Sequence, residues 1–341
     1  MQNREWIKVN NFNTPIVELH NIGKVLNRTS IYLKLESTNP ISHTFKDRGA
    51  LGVIKQMKKE NKSLVLAGTC SNMGVAISGM ASKYAMDNIV VISSSAPIGM
   101  INMMRKFSTK SIVIDGGFDE VDKFVDRLSK KFPHIACVNT NFNQYFFKGY
   151  YSIIDELNLQ LDKDKTYHVI VPTADGTLIS SLYKGYKEIS QNITMARLIF
   201  HIAQPSGCSP IADAINTDYK IKSLKKSLTK VVPLSVKRPL IYGKSTIEAV
   251  VETGGSGIKV QESDIDVLTD TLTKQEGIYS DNVGGVLLGA IYQLSKKIKK
   301  DENILGIYTG NGLVYACENN EKIILSQQVA KEQIYKILEE K

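Results

Sequence analysis

The sequence predicts an α/β protein of two domains, each built on a mostly parallel, helix-flanked sheet. Two observations carry this. Short apolar runs alternate with stretches whose apolar residues recur at helical spacing, the pattern left by parallel sheets covered by helices on both faces. The chain of 341 residues is also longer than one ordinary hydrophobic core supports.

In chain order, IYLKLES (31–37) reads as a strand and DRGALGVIKQMKK (47–59) as a helix, with Ala50, Leu51, Ile54 and Met57 on one face. SLVLAG (63–68) is a strand, and GVAISGMASKYAMD (74–87) is a helix with Val75, Ile77, Met80, Ala81 and Tyr84 at helical spacing. Strand NIVVISS (88–94) leads to helix INMMRKFSTK (101–110), and strand SIVIDGG (111–117) to helix EVDKFVDRLSKKF (120–132). IACVNT (135–140) reads as a strand and GYYSIIDELNLQL (149–161) as a helix. YHVIVPT (167–173) is a strand and LISSLYKGYKEIS (178–190) a helix, and ARLIFHIAQP (196–205) and NILGIYTG (303–310) add two more strands. Residues 217–240 show no period and read as a surface excursion.

Composition narrows the class. Hydrophobic residues make up 43% and charged residues 23%, as in globular proteins. The net charge of +9 comes from 43 Lys and Arg against 34 Asp and Glu. The excess is lysine scattered along helical stretches, not a basic stripe interleaved with aromatics, so no nucleic-acid partner is expected. Cys70, Cys137, Cys208 and Cys317 are far apart and form no C-x-x-C pair. No metal site or disulfide framework is expected, and a reducing cytoplasm fits. The first twenty residues lack an apolar core, so no secretory signal is expected, and no apolar run reaches about 18 residues, so no membrane span is expected either.

In open parallel sheets, ligands bind beyond the carboxyl ends of the strands. Three strand-end loops stand out. LAGTCSNMGVAIS (66–78) offers free backbone N–H groups at a helix start, suited to a carboxylate or phosphate, or else only an N-cap by Ser71 or Asn72. VPTADGTLISS (171–181) brings Thr173, Gly176 and Thr177 to another helix start, and there Asp175 repels a phosphate unless it points away. IYTGNGL (307–313) places two glycines around Asn311, permitting close backbone approach or an ordinary turn. A fourth segment, NPISHTFKDRGA (39–50), puts Lys46 between a strand and a helix. A cation near a positive helix end is costly unless its amine is neutral or bonded. A Schiff base with an aldehyde cofactor is one such arrangement, and a plain surface charge is the alternative.

NPISHTFKDRGA, TCSNMG, PTADGT and TGNGL, in this order, resemble the pyridoxal-phosphate enzymes of fold type II, the tryptophan synthase beta-like family. DGGFDE (115–120), residues 139–157 and residues 274–291 bring the resemblance nearest to threonine synthase. The resemblance implies a smaller, mobile domain (36–146) carrying the substrate-carboxylate loop. It implies a larger domain (1–35 plus 147–341) carrying the phosphate and pyridine contacts, with pyridoxal 5'-phosphate in the cleft between the two. It implies that Lys46 binds the cofactor aldehyde and then removes the α-proton. Asn72 is to bond the 3-oxygen, and the amides of Cys70, Ser71, Asn72 and Met73 the substrate carboxylate. Thr173, Ala174, Asp175, Gly176 and Thr177 are to surround the phosphate. Thr309 is to face the pyridine nitrogen, where a neutral hydroxyl favours elimination and replacement over transamination. A homodimer and a small amino-acid substrate follow from the same resemblance.

Departures from the family pattern bear on the substrate. One extra residue, around His43, separates Asn39 from Lys46, and Thr44 stands where serine is usual. Ala174 and Asp175 stand where glycines are usual. Three cations expected of an enzyme that binds O-phosphohomoserine are replaced by Met100, Phe146 and Tyr151. The expected reaction is therefore β- or γ-elimination or replacement on a small, non-phosphorylated amino acid, with Thr44, Met100, Phe146 and Tyr151 near its side chain. The alternatives are threonine synthase acting on O-phosphohomoserine, a Ser/Thr dehydratase, and a cysteine synthase-like β-replacing enzyme. From another class, a non-catalytic homologue that binds an amino acid or the cofactor also fits.

Overall fold

The alternating apolar runs form strands in two separate sheets. A computed structural model describes residues 12–108, 110–132, 135–141, 143–239, 241–315 and 326–340; Cys317 lies outside the described residues. The strands are β1 (Ile16–Glu18), β2 (Ile31–Leu35), β3 (Leu64–Thr69), β4 (Asp87–Ser93), β5 (Lys110–Ile114), β6 (Ala136–Cys137), β7 (Thr166–Pro172), β8 (Arg197–Pro205), β9 (Gly257–Val260) and β10 (Asn303–Tyr308). The helices are α1 (His20–Val25), α2 (Lys46–Lys59), α3 (Asn72–Lys83), α4 (Ile98–Phe107), α5 (Phe118–Lys131), α6 (Val138–Asn141) and α7 (Asn143–Gly149). They continue with α8 (Tyr151–Gln160), α9 (Thr177–Ser190), α10 (Pro210–Ile215), α11 (Gly243–Thr253), α12 (Glu262–Glu276), α13 (Asn282–Ser295) and α14 (Gln327–Glu339). Among the described residues, no helix is long and apolar enough to cross a membrane.

The chain divides into two units, Met1–Thr38 with Tyr150–Gly312, and Asn39–Gly149 with Leu313–Lys341. The first carries a six-stranded sheet in the order β1-β2-β10-β7-β8-β9, parallel except for the β1–β2 pair. Its core is centred on Ile31, Leu33, Ile304, Val286, Leu287 and Ile265. Two buried polar knots fix the sheet. Lys34, wholly buried, donates to Glu156 Oε2 at 2.6 Å, Gln160 Oε1 at 2.7 Å and Thr14 O at 2.6 Å. Arg28 donates to the carbonyls of Ser295 (3.1 Å), Ile298, Lys299 and Glu302 (2.8 Å), satisfying the end of α13 and the turn into β10.

The second unit carries a parallel four-stranded sheet in the order β5-β4-β3-β6. Alternate residues face opposite layers. Leu64, Leu66, Ile89, Val91, Ile112 and Ile114 pack under α5, while Val90, Ile92 and Val113 pack with Val75 and Met104. On α14, Ala330, Ile334 and Leu338, spaced by four, join the first of these layers. Burial of each large aliphatic side chain contributes about 1.5–3 kcal/mol. The described residues 313–315 and 326–340, which the sequence reading groups with the larger domain, cluster with this unit.

The strand expected over 135–140 is cut to Ala136–Cys137, followed by the helical turn α6. Asn139 explains the change. Its Oδ1 accepts from Gly68 N at 2.9 Å and its Nδ2 donates to Gly68 O at 3.1 Å, so a side-chain amide pairs with β3 where the ladder would continue. The expected helix over 74–87 starts at Asn72 and ends at Lys83, followed by Ala85 at φ 52°. Residues 217–239 are irregular and mostly exposed, with one 3-10 turn at Val232–Leu234. The sequence reading leaves β1, β9 and α10–α13 unassigned.

Candidate active site

In the second unit, β3 leads on to β4 and β5 on one side, while β6 lies on its other side. This reversal marks the loop after β3 as the place where an open sheet binds its ligand. Thr69, at the end of β3, organises that loop. Its Oγ1 accepts from Ser71 N (3.1 Å) and Gly74 N (3.2 Å) and donates to Ser71 O (3.2 Å). Ser71 is the N-cap of α3, its hydroxyl accepting from Met73 N at 3.5 Å. Of the four amides expected to hold a carboxylate, those of Ser71 and Met73 are thus engaged within the loop. Asn72 differs. Its Oδ1 is buried and has no hydrogen-bond partner, which in a folded protein calls for a ligand or water. Because an amide can turn about its last bond, Asn72 can present a donor or an acceptor at that point.

Lys46 is the first residue of α2, the same unit's helix at the end of the 39–50 segment. Asp47 sets the segment. This buried carboxylate accepts from Ile41 N (2.8 Å), Ser42 N (3.0 Å) and Ser42 Oγ (2.5 Å). Burial raises its pKa, and these three bonds and the nearby His43 oppose the rise. The extra residue is absorbed by His43, which takes a left-handed conformation at φ 53°. Thr44, buried, accepts from Lys46 N through its Oγ1 at 3.2 Å and bonds Ser42 Oγ at 2.8 Å, so it serves the helix start. The Lys46 ammonium lies 4.6 Å from the Phe45 ring centroid. Burial raises the pKa of the Cys70 thiol, and the charge of Lys46, in the same unit, opposes the shift.

Close approach of α2 and α7 completes this half. A Cβ on Gly52 would lie 2.5 Å from Tyr145 O, and one on Gly149 would lie 2.4 Å from Arg48 O, so only glycine lets the two backbones meet. Phe146 is buried on α7. Met100, 2% exposed, belongs to the apolar layer with Val75, Ile92, Ile101 and Met104. α4 places Met100, Ile101 and Met104 on the side that packs against the sheet. Lys148 is exposed and Arg105 half-buried. Tyr151 belongs to the first unit, where its ring packs against Gly185 on α9.

Within that first unit, parallel pairing of β7, β10 and β2 sends the loops after Pro172, Tyr308 and Leu35 off the same sheet edge. The loop after β7 is tightly tied. Thr173 Oγ1 donates to Val171 O at 2.8 Å. Gln204, wholly buried, donates to Thr173 O (3.1 Å) and Ala174 O (3.5 Å) and accepts from Ile211 N and Ala212 N. Gly176 is left-handed at φ 92°, and a Cβ there would lie 2.0 Å from Thr246 Oγ1. The Asp175 carboxylate turns onto the start of α9, accepting from Thr177 N at 3.0 Å and from Thr177 Oγ1 at 2.6 Å. Thr309, 7% exposed, follows β10. A Cβ on the next residue, Gly310, would lie 2.4 Å from Asp281 Oδ2. Asp281 caps α13 through Gly284 N at 3.2 Å, and burial pushes its pKa up to about 6.

The Lys46 side thus suits an aldehyde-bearing cofactor: an amine at a helix start, beside a buried amide with an unmet bond. The 173–177 loop suits a phosphate less well, because Thr173 Oγ1, Thr177 N and Thr177 Oγ1 already have acceptors within the chain. Thr246 is absent from the sequence reading, while Asp47, Gln204 and Asp281 lie inside segments singled out there without being given a role; their polarity next to apolar runs is the available signal.

Comparison with known proteins gives the family and the fold. The family described as pyridoxal-phosphate dependent enzyme matches residues 7–310. Threonine synthase of Methanocaldococcus jannaschii is 25% identical over 305 residues, covering 88% of this chain and 74% of that protein. A catabolic L-threonine dehydratase of Staphylococcus aureus is 22% identical over 305 residues, covering 88% and 84%. The structure of maize serine racemase superimposes with a TM-score of 0.74 at 19% identity, covering 96% of this chain and 93% of that one, and this likeness speaks for the fold alone.

Proposed function

The chain belongs to the pyridoxal-phosphate dependent enzyme family, and from that premise we propose that it catalyses β- or γ-elimination or replacement on a small, non-phosphorylated amino acid. The observation that carries this is the buried Asn72 Oδ1 without a partner, on the loop whose Cys70 feels the charge of Lys46. When bound, pyridoxal 5'-phosphate supplies an aldehyde and an electron-withdrawing ring that acidify the Cα proton of an amino acid. The chain's own residues supply the rest. The Lys46 amine would hold the aldehyde and would take the Cα proton of the bound amino acid. Asn72 would bond the cofactor's ring oxygen. The start of α3 would hold the substrate carboxylate, aided by the positive end of the helix. Thr309 would offer a neutral hydroxyl to the ring nitrogen. The bonds broken would be Cα–H and the bond to a leaving group on Cβ, or Cα–H, Cβ–H and the bond to a leaving group on Cγ; in replacement a second nucleophile would take the vacated position.

The case for a non-phosphorylated substrate rests on the side chains themselves. Met100 and Phe146 are buried and uncharged, and Lys148 is exposed at 5.9 Å from the Tyr145 ring centroid. We read the chain as a homodimer working in the cytoplasm, the reading that goes with its family. The test is a screen of O-phosphohomoserine, O-acetylserine, serine, threonine and cysteine against the cofactor-loaded protein, following spectral change and product. Efficient conversion of O-phosphohomoserine to threonine sinks the substrate assignment. A protein that stays colourless with added cofactor sinks the enzymatic one.

A further inference from the structure

We propose that Asp175 is a specificity-determining residue: its carboxylate is a built-in ligand of the 173–177 loop, the cofactor phosphate binds by displacing it, and the protein consequently gains little affinity from that phosphate. The proposal rests on the reading of Lys46 as the cofactor-binding lysine, and concerns the other end of the same cofactor.

The geometry is specific. A helix start binds a phosphate through backbone N–H groups that have no partner within the helix. Here Thr177 N, the first such group of a 14-residue helix, is bonded to Asp175 Oδ1 at 3.0 Å. The Thr177 hydroxyl spends its only proton on Asp175 Oδ2 at 2.6 Å, and that of Thr173 spends its own on Val171 O at 2.8 Å. An anion already occupies the donors that would receive one. The loop is also unable to retreat. Gln204 grips the carbonyls of Thr173 and Ala174, and Gly176 is wedged against Thr246 Oγ1 and Tyr242 O.

Among the described residues no ion pair includes Asp175, so its charge is met only by the Thr177 donors and the start of α9. Its charge is felt by the Tyr242 phenol, whose pKa is raised first by burial and then by Asp175. A phosphate arriving here meets a like charge and must break two bonds, both charge-assisted by the carboxylate that accepts them. Removing the charge while keeping the side chain's size ends the repulsion and leaves only a neutral, weaker acceptor on those donors.

The experiment is a binding titration. The full chain is stripped of cofactor and titrated with pyridoxal 5'-phosphate and, separately, with unphosphorylated pyridoxal, reading the visible absorbance of the bound aldehyde. Wild type, Asp175→Asn and Asp175→Ser are compared, with circular dichroism confirming that each is folded. The expected result is that both substitutions tighten pyridoxal 5'-phosphate about tenfold or more, the factor of one charge-assisted bond, and leave pyridoxal within about twofold. Tightening by Asp175→Ser alone, with Asp175→Asn unfolded, also supports the proposal. Unchanged or weaker phosphate-form binding in the folded variants overturns it while leaving the proposed function intact. Failure of wild type and variants alike to take up either aldehyde overturns the proposed function, and this proposal with it.

Discussion

Replacing His201 is expected to remove a specific loss of stability in acid. His201 on β8 lies 3% exposed beside His168 on β7, with His168 Nδ1 and His201 Nε2 2.9 Å apart. The backbone N–H of Ser256 donates to His201 Nδ1 at 3.0 Å. That fixed donor makes Nδ1 the acceptor, so His201 Nε2 carries the proton and donates to His168 Nδ1. His168 then carries its own proton on Nε2, which lies 3.4 Å from Glu302 Oε2. Neither ring has a free position for a second proton. Burial, with the charges of His168 and Lys297, pushes the pKa of His201 down from 6.5 to about 3, and burial lowers that of His168 against the opposing pull of Glu302. The unfolded chain therefore binds a proton near pH 6.5 that the folded chain refuses until about pH 3. Stability falls as the pH drops through that window, by about 1.4 kcal/mol per unit, reaching about 2.7 kcal/mol at pH 4.5 and about 5 kcal/mol in the limit. The assay is urea unfolding of wild type and His201→Asn at pH 7.5 and 4.5. The difference between the two proteins reports His201 together with its bonded partner His168, because groups away from the pair titrate alike in both. The variant is expected to be less stable at pH 7.5 by about 1–3 kcal/mol, from lost packing and bonding, and to lose about 2–3 kcal/mol less than wild type on acidification. Parallel losses in the two proteins, within about 0.5 kcal/mol, refute the reasoning.

Three further outcomes follow from buried groups in the first unit. Asp281, pushed up to about 6 by burial, contributes stability that is complete below its unfolded pKa of 3.8 and lost as the pH rises through 6. Asp281→Asn, which keeps the bond to Gly284 N, is expected to gain up to about 3 kcal/mol at pH 7.5 and nothing at pH 3.5, measured by urea midpoints; equal effects at both pH values contradict the burial argument. Lys34→Met leaves Glu156 in the interior without its 2.6 Å partner. It is expected to cost about 3–5 kcal/mol, with Glu156→Gln restoring part of the loss, and a loss below about 1 kcal/mol would show that the pair is inessential. Gly176→Ala forces a side chain onto a φ of 92° and a methyl to within 2.0 Å of Thr246 Oγ1. It is expected to cost about 2 kcal/mol or more in thermal unfolding, and Thr246→Ala in the same chain should relieve part of this; no relief means the clash is not the cause.

Much of the fold was legible because burial in a parallel α/β sheet leaves a one-dimensional trace. Strands such as LVLAGT at 64–69 are apolar throughout because both faces are covered, and helices such as α2 show the period of a single buried face. Errors arose where a distant group intervened. The strand after residue 135 stopped early because Asn139, 71 residues from Gly68, supplies the bonds a longer strand would have made. The irregular stretch before α11 hid the later helices, whose glycines, such as Gly284 and Gly289, blur the helical pattern while permitting close packing.

The sequence by itself determined which segments alternate, and placed Lys46, Asn72 and Thr309 at the starts of helices or the ends of strands, because those positions depend on local periodicity and on turn residues nearby in the chain. Tertiary structure alone decided what each loop's donors and acceptors bond to. Asp175 reads as awkward beside a phosphate in the sequence. In the fold it is the ligand of its own loop, held there because Gln204, Tyr242 and Thr246, about 30 to 70 residues further along, fix the backbone around it. Hydrogen-bond partners are chosen by proximity in space, and no local pattern records that choice.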